Sequence, residues 1–197
     1  MATYKSIRYN VDYQGNAGSL MPLLLFTSDG SDATADFTSK IDSTYKEYLF
    51  IFNNIHPESD NDASFEFNVS IDSGSNYNVA KTTTAFQAYH NEADNSAAIA
   101  YSTAADLAQG TGDQQLAQSL SADNDGNVSG ELWLFNPSST TFVKHFTSTV
   151  NETHGGDISM NNYVAGYFNT TSAIDAIIFK MASDEIQAGT INMYGIA

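Results

Sequence analysis

Apolar residues in this chain come in short runs separated by clusters of Gly, Asn, Asp and Ser. The densest run is Tyr45-Lys46-Glu47-Tyr48-Leu49-Phe50-Ile51-Phe52-Asn53-Asn54-Ile55-His56-Pro57. Its aromatic and β-branched content suits a pleated, half-buried backbone. Read with a period of two, Tyr48, Phe50, Phe52 and Asn54 share one face, and Leu49, Ile51, Asn53 and Ile55 share the other. Both faces are apolar in the middle, which predicts a strand buried on two sides. His56-Pro57 is expected to end it, because proline has no N–H to give to a ladder. The aromatic enrichment and the lack of alanine or leucine repeats argue against a helix here.

The same reading predicts strands over 20–27, 128–135, 141–150, 163–168, 174–181 and 190–196, with Phe37 to Ile41 leading through Asp42-Ser43 into the central run. Residues 85–90 and 97–102 read as strands too, and an extended piece begins at Tyr77–Val79. In 65–71, Phe65, Phe67, Val69 and Ile71 alternate with Glu66, Asn68 and Ser70, the signature of a strand wet on one side. Residues 104–120 read as loop plus one strand, since Gly110-Thr111-Gly112 would break any helix bearing Leu107, Leu116 and Leu120. About eight to ten short strands with turn clusters between them predict an all-β protein, a single β-sandwich of jelly-roll type. The expected division is an N-terminal arm over 1–19 and the β domain over 20–197. Phe50, Phe52, Phe67, Leu132, Leu134 and Ile178 are its expected core. No internal repeat or low-complexity linker is visible.

Composition narrows the possible roles. At 197 residues the chain suits one substantial core, and its twelve Phe and eleven Tyr supply large apolar areas along the whole length. A net charge of −16 with only seven Lys and Arg argues against sequence-independent nucleic-acid binding and against docking on an anionic membrane. It suits solubility and suppressed self-association. No cysteine is present, so disulfides, thiol nucleophiles and thiolate metal sites are all excluded. No secretory signal is visible, and the Leu20–Phe26 run is too short to span a bilayer, so a soluble product not exported by the usual route is expected. Two of the few cations, Lys5 and Arg8, lie among Tyr4, Tyr9 and Tyr13 in the arm. Tyr4, Lys5, Arg8 and Tyr9 are therefore candidate anchoring contacts, with an ordinary first strand as the equal alternative.

Candidate chemistry is sparse. His56, His90, His145 and His154 lie in separate segments without paired-histidine spacing, so no metal site is expected. In Asp123-Asn124-Asp125-Gly126, placing Gly126 at the glycine of a calcium loop puts Ser121 and Leu132 at positions that need carboxylates, and Asx turns explain the cluster better. A nucleophile elbow and a phosphate-binding glycine loop are both missing. No catalytic, cofactor or metal residue is assigned, and a non-catalytic protein is expected. Tyr77, Tyr89, Tyr101, Trp133 and Tyr163 are available as sugar platforms, although aromatics more often serve a core.

Three segments together carry a resemblance: Glu47–Pro57, Ser129-Gly130-Glu131-Leu132-Trp133-Leu134-Phe135-Asn136-Pro137, and Ala188-Gly189-Thr190-Ile191-Asn192-Met193-Tyr194-Gly195-Ile196. In order and spacing, from about Phe37 to Ala197, the chain resembles jelly-roll virion structural proteins of tailed, marine cyanophage-like bacteriophages. In them a Tyr-x-Phe strand opens the module and a Gly-Thr-Ile-x-x-Tyr-Gly-Ile strand closes it. The resemblance implies a fibre or head-surface component on the virion surface that assembles and adheres without catalysis. It implies self-association, as a trimer, and contact with other capsid or tail proteins. The alternative it leaves open is a carbohydrate-binding module for host recognition, with a host surface glycan as ligand. The short arm departs from long fibre proteins, and the family has no catalytic residues to carry over.

Overall fold

The computed structural model describes residues 20–59 and 63–196, which form twelve strands. They are β1 (Leu20–Thr27), β2 (Ala35–Phe37), β3 (Glu47–Pro57), β4 (Ala63–Ser70), β5 (Lys81–Asn91) and β6 (Ala97–Tyr101). The remainder are β7 (Gln114–Leu120), β8 (Val128–Phe135), β9 (Lys144–His154), β10 (Ile158–Phe168), β11 (Ala176–Met181) and β12 (Ile186–Ile196). Every pairing is antiparallel. One limb runs β1-β12-β3-β8-β9 and continues through β10 and β5 to β6; the other runs β7-β4-β11-β2. They join where Leu120 of β7 pairs with His154 of β9, so the whole is one nearly closed, barrel-like sheet.

Aromatic side chains fill the space between the limbs. Phe179 of β11 sits 5.3 Å from Phe50 and 5.1 Å from Phe52, measured between ring centroids. Phe65 of β4 packs edge-on against Phe52, and Phe67 packs edge-on against Phe146 of β9. Such edge-to-face pairs add to the gain from burial alone. Of the expected core, Phe50, Phe52, Phe67, Leu132 and Leu134 are fully buried. Ile178 is not: it is half-buried on the outer face, while Ile177 and Phe179 point inward. The run Ala176-Ile177-Ile178-Phe179 is apolar throughout, so its register shows only once its partners are known.

Three further expectations change. The central strand ends at Pro57 as expected, but Asn53 and Asn54 are exposed and Ile55 belongs with Phe52 in the core. Asn54 adopts φ +52°, the register with β8 slips between Phe52 and Ile55, and the Asn54 N–H donates to Ser129 Oγ. A bulge of this kind shifts the inward phase by one residue, and asparagine tolerates the left-handed conformation. Secondly, β4 is buried on both faces: Glu66, Asn68 and Ser70 are covered along with the phenylalanines. Loops fold over its polar side, and Asn68 Nδ2 donates to Tyr77 O, Thr111 O and Asp113 Oδ1. Thirdly, Tyr77–Val79 forms no ladder; β5 starts at Lys81 and runs through Asn91.

Opposite the Asn54 bulge, β12 has its own irregularity around Gly189, at φ +115°. A Cβ there would stand 2.7 Å from Asn54 O and 2.8 Å from Ile55 Cα, both backbone atoms with little room to move. Gly189→Ala is therefore expected to lower stability by about 1–3 kcal/mol, read as a lower urea midpoint; a neutral result would mean that the paired bulges relax freely.

Candidate functional site

The outer face of the longer limb presents one row of paired residues: Ile51, Glu131, Thr149, Tyr163, Phe86 and Tyr101, on β3, β8, β9, β10, β5 and β6 in turn. Its far end is apolar and open to solvent, with Tyr163 37%, Phe86 46% and Tyr101 54% exposed, and Ile99 beside them 79%. All five residues of β6 are exposed. Phe86 and Tyr163 stack on each other, centroids 4.6 Å apart and planes 9° apart. Tyr101 donates its hydroxyl proton to Asp106 Oδ2 at 2.8 Å. Next to these rings an open groove of about 520 Å³ is lined by Ala88, His90, Ile99, Asn151 and Asn161 among others.

The five aromatics suggested as sugar platforms do not converge. Tyr101, Trp133 and Tyr163 share this outer face by register; Tyr89 alternates to the opposite face of β5, and Tyr77 lies in the loop over the other limb, bonded to Asp36. Trp133 stacks on Phe135, two residues along the same strand. Tyr4, Lys5, Arg8 and Tyr9 lie outside the described residues. The histidines stay apart. His56 Nδ1 meets Gly126 O in the interior, His90 Nε2 is 3.0 Å from Asp94, and His154 Nδ1 accepts from the Gly156 N–H. His145 lies beside the Tyr167 ring. Gly126 N–H donates to Asp123 O, and Ser121 Oγ accepts from Asp123 N–H, so that acidic loop is closed by its own turn. Among the described residues no group of three His, Asp or Glu is placed to hold a metal ion.

Two buried polar assemblies were not anticipated. Lys81, fully buried, donates to Asn68 Oδ1 at 2.9 Å; desolvation lowers its pKa to about 8, partly offset by Asp113. Lys180 forms an ion pair with Asp113 at 2.7 Å, and burial pushes the Glu66 carboxyl up. This network pins the loops over β4. On the inner face of β9, Glu152 Oε2 accepts from the Gln118 N–H of β7, while Oε1 has no hydrogen-bond partner among the described residues; burial raises its pKa to about 8. Lys144, on the same strand, gives its ammonium protons to Thr170 O and Ser172 O. A signal for Lys144 and Glu152 was present in the sequence: Lys144, Phe146, Ser148, Val150 and Glu152 share one parity, and the apolar members mark it as inward.

No family model matches this chain, and neither a curated protein nor a solved structure matches it.

Proposed function

We propose that this chain is a non-catalytic structural protein of a tailed-phage particle, displayed on the virion surface as a capsid decoration or a short fibre or knob. The observation that supports the architecture this reading needs is the strand order. A jelly roll interleaves eight strands from two Greek keys in two facing sheets, and the neighbours β1-β12-β3-β8 and β2-β11-β4-β7 follow that interleaving. On this reading β5–β6 and β9–β10 are two hairpins inserted into the roll, which pair with each other through β5 and β10 and widen one sheet. The fold alone does not carry function; the surface adds to it. A rigid sheet, a net charge of −16 and an exposed apolar edge suit a component that stays soluble and adheres at one place. Buried charges are occupied structurally, Lys144 by two carbonyls and Lys81 by Asn68.

The carbohydrate-binding alternative draws less support. Sugars stack on free aromatic faces, whereas Phe86 and Tyr163 spend facing ring surfaces on each other. Mass spectrometry and labelled electron microscopy of purified virions are expected to find the protein in many copies on the outer surface. Its absence from particles would remove the proposal, and saturable binding on a glycan array would favour the alternative.

A further inference from the structure

We propose that β6 is a self-association edge: β6 of one copy pairs antiparallel with β6 of a second copy, in a register centred on Ile99. This stands on the geometry of the edge and does not depend on the role proposed above. Three observations carry it, beginning with the backbone. Asn91 N–H donates to Ser96 O and Ser102 N–H donates to Ala85 O, so residues of that parity direct their polar groups toward β5. In an antiparallel ladder the alternate residues then direct theirs away, which places the N–H and C=O of Ala97, Ile99 and Tyr101 on the open edge. Centred on Ile99, a second β6 brings Ile99 opposite Ile99 and Ala97 opposite Tyr101. Each outward residue then donates one bond and accepts one.

Side chains agree with that register. On the outer face the large Tyr101 of each copy meets the small Ala97 of the other, with the two Ile99 side chains between them. On the inner face Ala98 lies opposite Ala100, too small to clash. Charge agrees as well. Every residue from Asn95 to Ala105 is uncharged on a chain of net charge −16, so the two paired strands would add no like-charge repulsion of their own, the carboxylate of Asp106 being held by the Tyr101 hydroxyl at 2.8 Å. Soluble proteins usually guard such edges with charge, proline or brevity. Here β1 carries Pro22 and β2 has only three residues, while β6 has no charge, no proline and, among the described residues, no covering element. The stacked Phe86 and Tyr163 extend the apolar strip inward from the junction.

The test is light scattering and sedimentation velocity on the full chain over a concentration series. Wild type is expected to form a dimer that tightens with added salt, as screening lowers the repulsion between two acidic copies. Ile99→Pro removes one outward N–H without touching the pairing to β5, an edge position where proline is tolerated; Ile99→Lys brings a like charge to the two-fold centre. Both are expected to be monomeric with unchanged circular dichroism and melting temperature. Should Ile99→Pro disturb folding, Ile99→Lys decides, since its backbone is unaltered. Register has its own test: Ala98→Cys with Ala100→Cys is expected to give a covalent dimer on oxidation, because directly opposed non-hydrogen-bonded pairs have the reach of a disulfide. A wild type that stays monomeric, a trimer, or a dimer that survives Ile99→Lys would each overturn the proposal.

Discussion

Replacing Phe179 with alanine is expected to lower the unfolding free energy by about 3–5 kcal/mol. Its ring lies within about 6 Å, centroid to centroid, of Phe37, Phe50, Phe52, Phe65 and Phe67, at the place where the two limbs face each other. Residues on both limbs would have to move to close the space, and each is itself held by a ladder, so much of the cavity should persist. In urea titrations the midpoint should fall with little change in slope. Ile178→Ala, one residue earlier but on the half-exposed face, should cost no more than about 1 kcal/mol. A larger loss from Ile178→Ala than from Phe179→Ala would mean that β11 is in the opposite phase.

Stability should also pass through a minimum near pH 8. Glu152 is raised from 4.5 to about 8, because burial opposes its charged form more strongly than its hydrogen bonds favour it. Between those values the unfolded chain has released this proton and the folded chain still holds it, so stability falls as pH rises. The effect is of the order of a few kcal/mol, and the raised Glu66 acts in the same direction. Lys81 is lowered from 10.5 to about 8. Above pH 8 the unfolded chain binds the lysine proton and the folded chain does not, so stability rises again toward pH 10.5. Glu152→Gln should flatten the acid side of the minimum and raise the melting temperature at pH 8, leaving the alkaline limb in place. A wild-type profile that climbs steadily from pH 5 to 8 would show that Glu152 is ionised in the folded protein.

The strands themselves were readable where period and turn chemistry agreed. Val128–Phe135 and Leu20–Thr27 have the expected bounds, and the Phe-rich face of β4 points inward as its alternation implies. Most of what failed depends on partners distant in sequence. Glu66 and Asn68 look wet until the loop at Thr111–Asp113 closes over them, and Ser70 until the turn at Asp72–Gly74 folds back onto its hydroxyl. Asn54 and Ile55 break phase because a bulge in β3 meets one in β12, and no window around residue 54 contains β12. The exposed edge at β6 was hidden for a related reason. Ala97-Ala98-Ile99-Ala100-Tyr101 has the composition of a strand whether or not something covers it. Tyr101 and Tyr163 were visible as aromatics, but Phe86 joins them only through the β5–β10 pairing. Charged side chains are rarely buried, so nothing in composition points to Lys81, Lys144 and Glu152, although the parity of β9 marks the last two as inward.

The position of β12 has a consequence for how the protein is made. It lies between β1 and β3, yet its first residue, Ile186, leaves the ribosome long after β3 is complete at Pro57. At about 5–20 residues per second, the intervening stretch takes several seconds or more to synthesise. Throughout that time β1 lacks its one neighbour among the described strands, and β3 displays the edge that β12 will occupy. The nascent chain therefore passes through a stage in which Phe50 and Phe52 are translated but one flank of their strand is open. The late strand closes that gap by inserting between two segments already made, rather than by adding to an outer edge.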